Sequence, residues 1–423
     1  AYTVDMPGGS SILKLPAVGN VPKKQRREIR AALRANADKY VQVTAKRKAN
    51  GVYIAFGVTP IFAPPPPVEP PPLTPRPLKV AFVVVRWADG GPVGIPDPNA
   101  VRQWALSDPA SLAAYYRATS NNTIQISGAA MQITLPGGVA NVRQDDGSTQ
   151  AVKVSNQCVA FEQAVNQFKA SPAFSQYAAY NHVMMLPQYT GPGNCGHAGS
   201  GNLRGRYSVL SGSVATSLRM YVAIGAHELG HNLGLLHAGI VRCAQMPPTD
   251  ECLAPDSDAA QDINPYGDPF DAMGSSSSLA QFSAVHKNSL GLLAPGAVVN
   301  APKGTSTHTL RASDAPGLGG VRLLRVPRGN TEYTYNLEIR GPSAPWGPYR
   351  PSDAVANGIS IRMTMAGQIS DGATTYLVDR RNDTPSGYDA QWLAGQSFVD
   401  APNGVRITVN SAAQGWANVT ITR

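Results

Sequence analysis

The chain has few of the residues that build cysteine-bound metal sites. It contains 4 cysteines and 7 histidines in 423 residues, and no two cysteines stand in a C-x-x-C pair. The absence of such pairs excludes the usual cysteine-rich zinc sites of small domains. Long apolar runs are also missing, because the longest, Val80 to Val85, is far below the roughly 20 residues that span a bilayer. We therefore expect no membrane span.

Charge of either sign is sparse outside one end of the chain. Charged residues make up 15% of the sequence and hydrophobic residues 43%, a composition that builds globular cores in two or three domains. Residues 1–50 hold eleven lysines and arginines against three acidic residues, so this segment carries most of the net charge of +9. It would suit an acidic surface or a polyanion as partner. No nucleic-acid motif accompanies it, and we expect no nucleic-acid binding.

The four cysteines lie between residues 158 and 252. Cys243 and Cys252 bracket a short proline-containing loop and form a natural disulfide pair, which leaves Cys158 with Cys195 as the second pair. Two disulfides predict an oxidising environment, and hence a secreted, extracellular protein. Four reduced, buried thiols in a cytosolic protein are the alternative.

Composition divides the chain into four segments. Residues 1–62 form the basic segment, which has a predicted helix at 22–40 and a predicted strand at 52–56. Nine prolines follow within 63–77, as in a stiff, extended linker. The basic segment is either an inhibitory prosegment, and the chain then a zymogen, or a surface anchor. It has no cysteine and so no thiolate to block a metal, and Asp5 is the carboxylate that would have to do so.

The remaining segments, 78–297 and 298–423, differ in periodicity. Predicted strands and helices alternate in the first, which indicates a mixed sheet. Its strands are predicted at 80–85, 124–126, 182–186 and 207–210, and its helices at 111–117, 159–168 and from 218. The second has period-two alternation between turn residues, which predicts an antiparallel β-sandwich. Its strands are predicted at 321–326, 333–339, 359–365, 375–378, 405–409 and 419–421. The predicted fold class is α+β.

Residues 227–237 read His-Glu-Leu-Gly-His-Asn-Leu-Gly-Leu-Leu-His and hold three of the chain's histidines. Random placement would give H-E-x-x-H in roughly one such chain in 500. On a helix, His227 and His231 lie on one face and point to one place, as two ligands of a tetrahedral zinc do. Gly234 permits the helix to end and the chain to turn, which brings His237 round as third ligand. The fourth position stays open for water, and Glu228 stands beside it as general base.

This pattern resembles the metzincin metallopeptidases, in which a methionine turn follows the zinc motif. Met273 would be that methionine, 36 residues after His237. The segment 266–270 and Ala238 look most like the gametolysin family. The resemblance implies a zincin-type catalytic domain with Zn²⁺ as cofactor and a protein or peptide as substrate.

The chain departs from some metzincin groups two residues after the turn methionine. They have a tyrosine that approaches the metal there, and this chain has Ser275. Tyr266 would be the substitute, although a tyrosine in such a loop is more often a packed ring whose hydroxyl contacts water. The four other histidines are isolated in sequence. They are His182, His197, His286 and His308.

The sequence predicts a secreted zinc endopeptidase, in which zinc-activated water attacks the peptide carbonyl and Glu228 transfers the proton. The alternative is a surface-binding or adhesion protein with a structural zinc site, which would have no use for a base at an open position. Calcium is a weaker expectation, from clustered carboxylates alone. Those carboxylates are Asp256, Asp258 and Asp262, or Asp268 and Asp271.

Overall fold

The computed structural model describes most of the chain after residue 72 and several strands before it. The described residues are 2–6, 9–14, 28, 41–47, 53–60, 72–90, 97–143, 149–153, 161–188, 198–210, 217–242, 263–275, 279–342, 346–347, 349–365, 374–380 and 387–423. Within them the fold is α+β with several sheets, so the predicted fold class is confirmed.

The first described unit is a four-stranded sheet in the basic segment. Its strands are β1 (Tyr2–Met6), β2 (Gly9–Lys14), β3 (Val41–Arg47) and β4 (Tyr53–Pro60). Their order is β1-β2-β4-β3, in which β2 and β4 are parallel and the other pairs antiparallel. The strand predicted at 52–56 is confirmed as β4. Of the predicted basic helix only Glu28 is described, and it is helical.

Residues 76–232 hold the next strands and the longest helix. The strands are β5 (Arg76–Trp87), β6 (Ile124–Leu135), β7 (Val139–Arg143), β8 (Thr149–Lys153), β9 (His182–Pro187), β10 (Gly199–Gly201) and β11 (Tyr207–Leu210). The α-helices are α1 (Pro98–Arg102), α2 (Leu112–Thr119), α3 (Phe161–Ala170) and α4 (Leu218–Asn232). A π-helical turn at Gln103–Ser107 and a 3-10 helix at Pro172–Tyr177 complete the list. The elements predicted for this region are confirmed.

A five-stranded sheet, ordered β10-β11-β9-β5-β6, forms the centre of this region. Strand β5 is parallel to both of its neighbours, and each residue from Val80 to Val85 is fully buried. A strand covered on both faces needs apolar residues at every position, which explains the unbroken run. One face packs with α2 and α4, the other with α3. Strand β5 begins at Arg76, within the predicted linker, and residues 63–71 of that linker lie outside the described part.

The strands after the histidine motif build two further sheets. They are β12 (Ala238–Arg242), β13 (Ile263–Asn264), β14 (Val298–Asn300), β15 (Thr305–Arg311), β16 (Leu323–Pro327), β17 (Tyr333–Glu338), β18 (Gly358–Met365), β19 (Thr375–Asp379), β20 (Trp392–Leu393), β21 (Ser397–Asp400), β22 (Val405–Ala413) and β23 (Trp416–Thr422). Two short helices accompany them, α5 (Ala284–Ser289) and α6 (Ala354–Asn357). The six strands predicted after residue 298 are confirmed.

The larger of these sheets is ordered β13-β12-β19-β18-β17-β16-β14, with β20 paired to β18, and the smaller β15-β23-β22-β21. One apolar core joins both, with side chains such as Leu337 and Ile361 from the larger sheet and Ile407 and Val419 from the smaller. Within the segment predicted as an antiparallel β-sandwich, the named strand pairs are antiparallel except for β14 with β16, and β12, which precedes that segment, is parallel to β19. Strand β12 follows the histidine motif directly, so this larger sheet crosses residue 297, where the sequence places a domain boundary.

Candidate metal centre

The three motif histidines meet at one point. His227 and His231 lie four residues apart on α4, and their Nε2 atoms are 3.1 Å apart. The Nε2 atom of His237 lies 3.1 Å from that of His231. The three ligand atoms fall within 4.8 Å of one another. Among the described residues, these histidines are the group of at least three His, Cys, Asp or Glu side chains that lie close enough together to hold a metal ion.

Hydrogen bonds fix two of the rings. Nδ1 of His227 lies 2.9 Å from the carbonyl oxygen of Ala272, and Nδ1 of His231 lies 2.8 Å from that of Leu235. A carbonyl can only accept, so each Nδ1 carries the proton and donates it. Each Nε2 therefore presents a lone pair to the shared point.

The imidazoles are held in the neutral form. Burial, together with the neighbouring ring of His231, lowers the pKa of His227 to about 3. Burial and the charge of the neighbouring rings lower the pKa of His237 to about 4, and burial also lowers that of His231. Three neutral imidazoles whose Nε2 atoms converge are what a divalent cation requires of histidine ligands.

The end of α4 brings the third histidine back to the first two. Gly234 has φ of +102°, a conformation that side chains disfavour, and its N–H donates to the carbonyl of His231 at 2.8 Å. The N–H of Leu235 then donates to the carbonyl of Gly230 at 2.9 Å. These bonds satisfy helix carbonyls left open at the C-terminus, as in a Schellman ending. Gly234 thus lies at the helix end in the left-handed conformation that the predicted turn requires.

Glu228 is buried on the same helix, beneath strand β10. A Cβ atom at Gly199 would lie 2.7 Å from Cγ and Oε1 of Glu228, and one at Gly201 would lie 2.5 Å from its carbonyl oxygen. At Gly201 the obstacle is helix backbone, so only glycine lets the strand pass this close to the helix there, whereas at Gly199 the obstacle is the end of the Glu228 side chain. Burial also raises the pKa of the Glu228 carboxyl to about 8.

Met273 is fully buried against the last turn of α4, where a Cβ atom at Gly230 would lie 2.5 Å from its sulfur. The turn that carries it is held by Asp271, whose Oδ1 accepts from the N–H of Met273 at 2.8 Å. Ala272, between them, provides the carbonyl that orients His227. The predicted methionine turn thus supports the first histidine directly.

Tyr266 lies at the mouth of the cluster. Its ring centroid is 4.1 Å from that of His237 and 6.1 Å from that of His227, and about half of the side chain is exposed. Burial of the remainder, with the charge of Glu228, raises the pKa of its hydroxyl. The ring therefore packs on a histidine of the site while one edge contacts solvent, which fits both sequence interpretations of this residue.

No protein-family model matches the chain, and no curated protein matches it. Among solved structures, archaemetzincin from Methanopyrus kandleri is similar over 52% of this chain and 97% of its own, with 18% identity and a TM-score of 0.29. A chain from a chaperone–substrate complex is similar over 47% of this chain and 28% of its own, with 14% identity and a TM-score of 0.23. Neither similarity identifies this protein. Both TM-scores are too low to support an inference about fold or function.

The pair Asp268 and Asp271 does not form the calcium site that the sequence raised as an expectation. Both carboxylates are fully buried and accept hydrogen bonds from protein donors, Asp268 from Arg362 and Asp271 from His286. Asp256, Asp258 and Asp262 lie outside the described residues. So do the four cysteines and His197, and the two disulfides stay a prediction.

His286 is the site-linked residue that sequence reasoning missed. Its Nδ1 lies 2.7 Å from Oδ2 of Asp271, and both side chains are fully buried. Burial alone would raise the pKa of Asp271, but the charge and hydrogen bond of His286 outweigh it and bring the pKa below its ordinary value. The two residues are 15 positions apart, so the only available signal was an Asp and a His after the motif.

Among the described residues, no helix combines the length and the apolar character that a membrane crossing requires.

Proposed function

We propose that this protein is a zinc endopeptidase in which His227, His231 and His237 hold the metal and Glu228 is the general base. The observation that carries the proposal is the close approach of two lone pairs. The Nε2 atoms of His227 and His231 are 3.1 Å apart, and neither carries a proton because both Nδ1 atoms do. Such an approach between neutral rings is repulsive unless a cation lies between the nitrogens.

The donor set fits zinc. Two nitrogens bound to one tetrahedral zinc at 2.0–2.1 Å lie about 3.3 Å from each other, close to the spacing observed here. Three histidines leave one coordination position open, as catalytic zinc sites do and closed structural sites do not. The backbone carbonyls that accept from Nδ1 of His227 and His231 are the outer partners that such ligands usually have.

Bound zinc would supply a Lewis acid that polarises a peptide carbonyl and makes a water molecule acidic near neutral pH. Glu228 would take the proton from that water and deliver it to the departing amine. Its buried position makes the carboxylate a stronger base than in water, since burial raises its pKa, while a nearby cation would favour its charged form. The bare backbone at Gly199 leaves the carboxyl unobstructed.

The more specific assignments, which concern the type of site, the location of the protein and its substrates, belong to the same proposal. We infer a metzincin-type site, and within it a gametolysin-like one, from the eleven-residue motif together with the position of Met273 against α4. We also propose that the protein is secreted, that its four cysteines form two disulfides, and that its substrates are proteins or peptides. The basic residues 1–50 support a role of that segment as inhibitor or as surface anchor.

The proposal is tested by digesting an unfolded protein substrate with the wild type and with Glu228→Ala, while the zinc content of both is measured. We expect zinc in both samples and cleavage only by the wild type. Glu332→Ala, which removes an exposed glutamate in the turn after β16, is the matched control and should cleave normally. Cleavage by Glu228→Ala at the wild-type rate would refute the role of Glu228. Bound zinc without cleavage by any sample would favour a structural zinc site in a binding protein.

A further inference from the structure

Two arginines of the larger C-terminal sheet contact the segment that carries the methionine turn. Arg340, just after β17, donates from Nη2 to the carbonyl of Phe270 at 2.5 Å and to that of Gln281 at 3.3 Å. Arg362, on β18, donates from Nε to Oδ2 of Asp268 at 2.6 Å. Both guanidinium groups are fully buried. This segment is thus bonded at several points to residues that follow it by 59 to 94 positions.

A single carboxylate links the two arginines. Oε1 of Glu338 accepts from Nε of Arg340 at 3.1 Å and also from Nη1 of Arg362. Its other oxygen accepts from the N–H of Ala284 at 2.6 Å and from the hydroxyl of Ser313 at 2.8 Å. A buried charge is tolerated only when it is paired and hydrogen-bonded, so these partners hold one another in a single arrangement.

Asp268 connects this cluster to the third histidine. While its Oδ2 binds Arg362, its Oδ1 accepts from the N–H of Phe270 at 2.8 Å. Its own N–H donates to the carbonyl of Ala238 at 3.2 Å, and the N–H of Ala238 donates to the carbonyl of Met273 at 2.9 Å. Ala238 follows His237 directly, so a shift of Asp268 would move the backbone of a ligand.

The same sheet also bonds to His237 itself. Strand β12 begins at the next residue and runs parallel to β19 over five residue pairs, from Ala238 with Thr375 to Arg242 with Asp379. The N–H of Thr375 donates to the carbonyl of His237 at 3.2 Å. His227 and His231 have their places fixed by α4, whereas His237 lies beyond the helix and depends on these contacts.

We propose that Arg362, acting through Asp268, is a positioning residue for the third zinc ligand, and that strands of the larger sheet that follow residue 297 are therefore part of the metal site. The proposal rests on the zinc site proposed above. Groups that orient metal ligands from outside typically change metal affinity about 10- to 100-fold when they are removed. The sheet thus has a role in zinc binding as well as in stability.

The test is the zinc affinity of the full-length Asp268→Asn variant, measured by competition with a chelator. Asparagine keeps an oxygen for the N–H of Phe270 but turns an N–H group toward Arg362, so the pair is lost with little change in volume. We expect zinc affinity to fall about 10- to 100-fold. The visible spectrum of the cobalt-substituted protein should also change, because it reports the geometry of the ligands.

Asp400→Asn is the matched control. Asp400 is equally buried in the same half of the chain, and its Oδ2 accepts from Nε of Arg328 at 2.9 Å and from the hydroxyl of Tyr335 at 2.7 Å. Both variants should lower the unfolding temperature of the metal-free protein, but only Asp268→Asn should weaken zinc binding. Zinc affinity and a cobalt spectrum equal to those of the control would overturn the proposal.

A second variant tests the positioning role if Asp268→Asn does not fold. Arg362→Lys keeps the positive charge beside Asp268 but cannot also bond Glu338 in the same planar geometry. We expect it to weaken zinc binding by less than about tenfold, and unchanged affinity and spectrum would contradict the proposal. Peptidase activity is not the readout. A wild type that binds zinc without cleaving would refute the proposed function and leave the positioning role to be judged on affinity.

Discussion

Substitution of Gly199 by alanine should disable the base while leaving the metal ligands in place. The new Cβ would lie 2.7 Å from both Cγ and Oε1 of Glu228. Carbon atoms in favourable contact are about 3.5 Å apart or more, so the carboxyl must move by about 0.8 Å. The atoms in the way belong to the far end of a flexible side chain, and φ of Gly199 lies outside the range that requires glycine. The strand should therefore keep its position when the methyl group is added, and the side chain of Glu228 should be the part that moves.

A displacement of this size has a predictable effect on rate. Misplacing a reacting group by about 1 Å costs about 100-fold, so kcat/KM should fall by roughly that factor, or about 2.7 kcal/mol of transition-state stabilisation. Zinc affinity should stay within about threefold of the wild type, because no contact orienting the three histidines is changed. The assay is cleavage of a fluorogenic peptide by the wild type and by Gly199→Ala at equal zinc occupancy.

The control is Ser200→Ala on the same strand. Successive side chains of a strand point to opposite faces, so this substitution should not affect Glu228 and should keep wild-type activity. Wild-type activity in Gly199→Ala would refute the reasoning, since it would mean that the carboxyl tolerates the shift or is not the base. Loss of zinc together with activity would show instead that the clash displaces helix α4.

Two further outcomes follow from the site. Gly230→Ala should destabilise the protein by about 1–3 kcal/mol through its contact with Met273, and Met273→Ala by about 2–5 kcal/mol. In denaturant unfolding the double variant should lose less stability than the two single variants lose together. Strict additivity of the two losses would argue against the contact. Because burial lowers the pKa of all three histidines, to about 3 for His227 and about 4 for His237, protons should compete with zinc only well below pH 6.5. Zinc content after equilibration from pH 7 to pH 4 checks this, and half-release near pH 6.5, the pKa of an ordinary histidine, would contradict it.

Local spacing was sufficient to predict which three histidines meet at one point. His227 and His231 are four positions apart on one helix, and Gly234 marks the end of that helix, so the three candidate ligands come from eleven consecutive residues. The strands were predicted for the same reason, because period-two alternation and unbroken apolar runs depend on neighbouring residues only. Their pairing was not predictable in this way, since β12 and β19 are separated by more than a hundred residues.

The two aspartates of the methionine turn show why the long-range contacts around the site could not be predicted from the sequence. In sequence Asp268 and Asp271 look like a pair of carboxylates for a hard cation, because nothing nearby neutralises them. Their partners are Arg362, 94 positions after Asp268, and His286, 15 positions after Asp271. A carboxylate buried in a core and paired with an arginine already has its charge neutralised, so the long-range contact reverses the chemical interpretation. The same contact ties a strand of the C-terminal sheet to the turn that positions the third histidine. The motif thus determines which atoms can bind the metal, and residues well outside it determine how firmly those atoms are held.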